Sequence, residues 1–173
     1  KDIITMQISL YQATVPVFIR MLTNLGRILD KAQTFADAKR IDTAVLAGYR
    51  LAPDMLPLSS QIQIACDTAK GCGARLAGVD MPRHEDNEKS LPELKQRIQK
   101  TIEFLKTLKA EQIDGAEGKQ IVLKFPNSTF EFKGMNYVLG FAQPNFYFHC
   151  TSAYAILRHC GVEIGKMDFL GNS

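Results

Sequence analysis

Much that would announce a function is missing from this sequence. No run of about 20 apolar residues is present, so no helical membrane span is expected. No one sign of charge dominates. The formal net charge is +3, with Lys and Arg dispersed among Asp and Glu, and no basic stripe calls for a nucleic-acid partner. The chain does not open with the basic, apolar and small-residue pattern of a secretory leader. Its four cysteines, Cys66, Cys72, Cys150 and Cys160, form no CxxC pair and fall in segments of helical periodicity. Neither a structural zinc site nor a disulfide framework is therefore expected, and a reduced, cytoplasmic protein is the natural reading. The GxSxG, phosphate-loop and dinucleotide fingerprints are absent as well. The opening KDIITM reads as a truncated or tag-derived end, with Met6 as a natural start.

What is present is an ordinary globular composition over 173 residues, 46% hydrophobic and 23% charged, enough for one domain spanning residues 1–173. Four long segments carry helical periodicity. The first runs from about Gln7 to Ala36, with Ile8, Tyr11, Val15, Phe18, Leu22, Leu25, Leu29 and Ala32 on one stripe, and Pro16 marks a kink or its true first turn. The second runs from about Pro57 to Ala77 on Leu58, Ile62, Ala65, Ala69, Cys72 and Leu76, with Asp54 as a candidate cap. Gly71, Gly73 and Ala74 on it permit close helix contact. The third, about Leu91 to Leu108, opens on a Ser90–Glu93 capping box. Its stripe is Leu91, Leu94, Ile98, Ile102, Leu105 and Leu108. The fourth runs from about Met135 to Cys160 and stops at Gly161.

Between the third and fourth helices the period changes. KQIVLKFPNSTFEFKG alternates as two short strands around Pro126–Asn127–Ser128, a β-hairpin over residues 119 to 133. Residues 38 to 57 form a longer connection with a short helix at Thr43 to Ala47. GVDMPRHEDNEKS reads as a charged loop, in which His84 is expected to be solvated. The expected fold class is all-α, a four-helix bundle with a small β-hairpin before the last helix.

The fourth helix holds the candidate site. Its stripe is expected to pass through Val138, Ala142, Asn145, His149, Ser152, Ile156 and Cys160, and three of these are polar. Asn145 and His149, four apart, share a face, and Ser152 lies one turn on. Pro144 frees the carbonyl of Gly140. On the second helix Gln61 borders the stripe and is placed to face Asn145 and His149. Buried polar groups need partners, so these residues satisfy either one another or a ligand. Three roles for His149 stay open: a hydrogen-bonded core residue, a base in a small-molecule pocket, or a metal ligand. His159, in the last turn, suits the helix dipole. Cys150 points about 100° away from His149, so the two do not form a nucleophile–base pair.

ISLYQATVPVFIRMLTNLGRILDKA, RLAPDMLPLSSQIQIACDTAKG, ARLAG and NFYFHCTSAYAILRHCGVEIGKMDFLG resemble the bacterial domain-of-unknown-function family 1993, of the DinB/YfiT-like superfamily. The resemblance spans nearly the whole chain. It implies a four-helix bundle, a hairpin before the last helix and frequent dimers. It also implies kinship with metal-dependent thiol transferases and hydrolases, whose metal is held by one histidine on the second helix and an HxxxH pair on a later one. Here only His149 matches. Asn145 and Gln61 stand at the other positions, and amides are poor ligands for zinc or nickel. The expected function is a small-molecule-binding or stress-related bundle with no bound metal or other cofactor. The alternative is a divergent transferase or hydrolase with His149 as base or metal ligand. A homodimer is expected, paired through Ile19, Met21 and Ile28 as a second apolar face of helix one.

Overall fold

The computed structural model describes residues 7–171, and the KDIITM stretch lies outside them. The chain is mostly helical, with one two-stranded antiparallel hairpin. Helix α1 (Leu10–Lys39) starts at a reciprocal cap: the Ser9 hydroxyl accepts from the Gln12 N–H at 3.2 Å, and the Gln12 side chain accepts from the Ser9 N–H at 3.2 Å. That cap sets the start three residues later than the periodicity suggested and leaves Ile8 exposed. Pro16 lies inside the helix, which continues through it to Arg40, a left-handed residue at φ 55°. Helix α2 (Thr43–Ala47) is the expected short one, capped by Asp42. Helix α3 (Leu58–Ala77) has Pro57, not Asp54, at its N-cap. Helix α4 (Leu91–Thr107) begins at Ser90, whose hydroxyl meets the Glu93 N–H, while the Glu93 carboxylate takes the Lys89 N–H and the Ser90 hydroxyl.

The stripes expected for α3 and α4 are buried throughout. Helix α3 lies against both α4 and α7, and α1 lies against α4. A side chain at Gly73 would overlap Leu108 and crowd Leu105, so the small residues of α3 do permit the close approach to α4. A short helix α5 (Ala110–Ile113) and a 3₁₀ turn, Ala116–Gly118, lead into strands β1 (Gln120–Phe125) and β2 (Ser128–Lys133). These pair from Gln120–Lys133 to Phe125–Ser128 around a two-residue Pro126–Asn127 turn. Ile121 and Leu123 are buried beneath the hairpin, and Phe132 packs on Tyr137 and Phe141 at centroid distances of 6.0 and 5.8 Å.

The fourth long segment is broken by an irregular turn. It comprises α6 (Gly134–Tyr137), a π turn over Val138–Ala142, and α7 (Gln143–His159). The Gln143 N–H donates to the Val138 carbonyl, five residues back. The next residue, Pro144, has no N–H and clashes with a regular helical carbonyl four residues back, and the wider turn accommodates this. The extra residue in the turn shifts the phase of α7. Its buried face runs through Phe146, His149, Cys150, Ser152, Ala153, Ile156 and Leu157. Asn145 and Cys160, placed on the stripe by strict periodicity, are half-buried. A last helix, α8 (Lys166–Leu170), lies along α1, where the Asn24 amide donates to the Phe169 carbonyl at 3.1 Å and Lys31 meets Asp168 at 2.6 Å.

Two further expectations are corrected. The second apolar face of α1 is not free to pair with another chain. Met21 and Ile28 are buried in the chain's own core, and Ile19 packs against it. The charged loop between α3 and α4 is tied down rather than simply solvated. Arg97 of α4 is 2% exposed and reaches the Glu85 carbonyl at 3.1 Å, Glu88 at 3.0 Å, and Asp67 and Asp86 at 2.9 Å each. Lys70, also buried, meets Asp67 at 2.9 Å, and the Gln63 amide donates to Glu88 at 2.9 Å. Burial pushes the Glu88 carboxyl up, but the hydrogen bonds from Gln63 and Arg97 hold it below the usual carboxylate range. His84 is half-buried, with Nδ1 shut away from solvent. No helix among the described residues is long and apolar enough to cross a membrane.

Gly134 admits no side chain, because a Cβ there would collide with the Ala116 carbonyl oxygen, whereas Gly140 faces open space. Gly134→Ala is expected to lower stability by about 1–3 kcal/mol in urea denaturation, the usual cost of overpacking. Gly140→Ala is expected to be neutral or stabilising. Equal effects would show that the 3₁₀ turn yields freely.

Candidate functional site

The site lies where α3 crosses α7. Gln61 is 1% exposed and His149 is 7% exposed, and the Gln61 Oε1 lies 2.7 Å from the His149 Nδ1. The amide of Gln61 is anchored at its other end, where Nε2 donates to the Leu56 carbonyl at 3.0 Å. That carbonyl can only accept, so the amide nitrogen must face it and the amide oxygen must face the imidazole. The oxygen can likewise only accept, so Nδ1 carries the ring proton. Nε2 is left with a lone pair and has no hydrogen-bond partner among the described residues. Burial holds the His149 pKa below its ordinary value, so the ring is neutral at neutral pH. The ring also meets the edge of Phe148, with centroids 5.2 Å apart.

The other expected residues fall into two groups. Asn145 shares the α3–α7 seam but bonds neither His149 nor Gln61, and its amide donates to the Thr68 hydroxyl at 2.8 Å. Thr68 lies seven residues after Gln61, two helical turns along α3. Its position on the Gln61 face is readable from that spacing. Ser152 is 7% exposed. It lines an open, mainly apolar groove of about 470 Å³ with Leu51, Met55, Tyr147 and Phe148. The wall contributed by the segment before α3 was not foreseen. Its sequence has no periodicity to mark it, and it is placed by the Leu56 carbonyl that holds Gln61.

The cysteines are unfit for nucleophilic work. Burial pushes the Cys66 and Cys72 thiols up to about 12 and the Cys150 thiol higher still. A transition metal held by the histidine set that the resemblance implies does not fit the donor set at this site. The Gln61 oxygen is committed to Nδ1, the Asn145 nitrogen to Thr68, and an amide oxygen is a weak donor for such metals. Among the described residues no three His, Cys, Asp or Glu side chains are grouped to hold an ion.

The model for the family described as a domain of unknown function, DUF1993, matches residues 10–170. The chain belongs to the DUF1993 family. A solved structure described as a DinB family member protein from Shewanella denitrificans superimposes on this DUF1993 chain with a TM-score of 0.86 at 43% identity, covering 95% of this chain and 93% of that one. No curated protein matches.

Loss of the ring in His149→Ala strands the Gln61 oxygen and opens a small cavity, with an expected cost of about 1–3 kcal/mol by chemical denaturation. The pH dependence follows from the lowered pKa. The unfolded chain binds a proton at the ordinary histidine value, whereas the folded chain resists it. Stability is thus full above the ordinary value and falls as pH drops from there to the folded pKa. The slope in this window is expected to shrink in His149→Gln, and an unchanged slope would place the titration elsewhere.

Proposed function

We propose that this DUF1993 protein is a metal-independent, small-molecule-binding bundle in which the neutral His149 offers Nε2 to a hydrogen-bond donor on its ligand. One observation supports the reading: the 2.7 Å contact of Gln61 Oε1 with Nδ1, made while Gln61 Nε2 is tied to the Leu56 carbonyl. An amide held in this way orients the imidazole and fixes its tautomer, while burial keeps the ring neutral. A histidine in the same place would leave the tautomer unassigned, and a carboxylate would draw a proton onto the ring. In this reading the four long helices form a DinB/YfiT-like four-helix bundle, the chain is a single domain and the protein works in the cytoplasm. The homodimer expectation rests on the family alone, and sedimentation at micromolar concentration tests it.

The same neutral nitrogen supports a second reading, a divergent transferase or hydrolase in which Nε2 takes a proton from a hydroxyl or thiol. The two readings part on turnover: a ligand recovered unchanged favours binding, and a product favours the enzyme.

The test combines a ligand screen with two variants. Compounds bearing one hydroxyl, thiol or amide donor on an apolar body are expected to raise the melting temperature, by the equivalent of about 2.7 kcal/mol at a hundredfold excess over Kd. His149→Phe is expected to abolish the response. Gln61→Glu places a carboxylate beside Nδ1, and is expected to raise the imidazole pKa by about 1–3 units, so that binding returns only at higher pH. Binding that survives both variants would refute the assignment. A stoichiometric transition metal in protein purified without a histidine tag would overturn its metal-independent part.

A further inference from the structure

A second polar cavity shares no residue with the Gln61–His149 site. Its volume is about 260 Å³, and Arg83, His84, Glu85, Glu88, Arg97 and Lys100 line it. Two of these residues carry a nitrogen that is shut off from solvent and has no partner, Arg97 Nε and His84 Nδ1. Arg97 is only 2% exposed, and its two terminal nitrogens are fully engaged with Glu85, Glu88, Asp67 and Asp86. A buried donor left in this way is costly, and an incoming acceptor satisfies it.

The charges around the cavity decide what that acceptor is. The buried Arg97 pairs with Asp67, Asp86 and Glu88, and the buried Lys70 pairs with Asp67, while Asp67 and Asp86 themselves remain open to solvent. Arg83, Lys100 and Glu85 also line the cavity, and neither basic side chain makes an ion pair among the described residues. Cations and carboxylates are therefore equal in number while His84 is neutral. Adding one negative charge upsets the balance, and one proton on His84 restores it.

We propose that this cavity binds a small monovalent oxyanion, either a carboxylate or a phosphate-sized group, together with a proton on His84. The anion accepts from the Arg97 Nε–H and from the His84 Nδ1–H, with Lys100 and Arg83 closing the rim. The cavity is too small for a nucleotide or drug-sized ligand, which need roughly 300–1,000 Å³. Its wall between α3 and α4 has no regular secondary structure and is held to α4 through Arg97, so entry requires that loop to shift. Without the anion, burial and the positive charges of Lys70, Arg97 and Lys100 hold His84 below its ordinary pKa, with Asp67 acting the other way. A bound anion reverses that pressure. Between the two pKa values affinity rises as pH falls, by at most about tenfold per pH unit for one coupled proton.

Titration calorimetry on the full chain, with sodium acetate and with inorganic phosphate against matched sodium chloride, tests this. Saturable binding is expected that strengthens toward acid pH and takes up a proton, read from the dependence of the heat on the buffer's ionisation enthalpy. Response to only one of the two anions supports the site and names its class. Arg97 variants threaten the fold, so the informative variants are elsewhere. Lys100→Ala is expected to weaken binding about tenfold at every pH, the usual effect of losing one charged hydrogen bond. His84→Gln is expected to abolish proton uptake and flatten the pH profile. Heats no larger than those of chloride, as when a water bridges the two nitrogens, would overturn the proposal, as would an unchanged pH profile in His84→Gln.

Discussion

Pro144 has no amide proton, and that missing donor governs the last long helix. A regular helix would bring the proline ring against the Gly140 carbonyl. The chain widens by one residue there, and the Gln143 N–H reaches back to Val138. Everything after the π turn is rotated relative to the sequence before it. Phe146, Cys150 and Ala153 therefore enter the core, while Asn145 and His149 run along the seam with α3, opposite Thr68 and Gln61. The polar pairs sit at the edge of the apolar interface, where each hydrogen bond is shielded but the far side of the imidazole remains available.

How much of this was legible depends on the element. The stripes of α3 and α4 follow strict three- and four-residue spacing, and every expected member is buried. The hairpin was visible from its change of period and its turn residues. Helix ends were less so: Ser9 outweighs the apolar residue before it, and Pro57 takes the cap position that Asp54 would have filled. On α7, His149, Ser152 and Ile156 are buried as the period expects, and Asn145 and Cys160 are half-buried because a period of 3.6 assumes an unbroken ladder. Pro144 breaks that ladder and alters the register after it. The Arg97 knot was missed for a different reason. A loop rich in Arg, His, Asp and Glu looks solvated until a buried cation elsewhere calls its carboxylates inward.

The pairing of Gln61 with His149 was readable, because two uncompensated polar residues on adjacent buried faces have few other ways to be satisfied. What spacing could not supply is the role of Leu56. Its carbonyl fixes which way the amide points, and through the amide which ring nitrogen holds the proton. A backbone atom in a segment without periodicity thus decides the chemical character of the site, and a side-chain pattern cannot reveal it.

Helix α1 is completed by distant parts of the chain. Asp114 accepts from the Tyr11 N–H, the Gln143 amide reaches the Ala13 carbonyl, and Asn24 holds the Phe169 carbonyl, contacts 103, 130 and 145 residues apart in sequence. During synthesis at the ribosome the first helix emerges early and waits for α7 and α8 to cover it. Until then its apolar side is open to wrong partners, the hazard that long-range contacts bring to any folding chain.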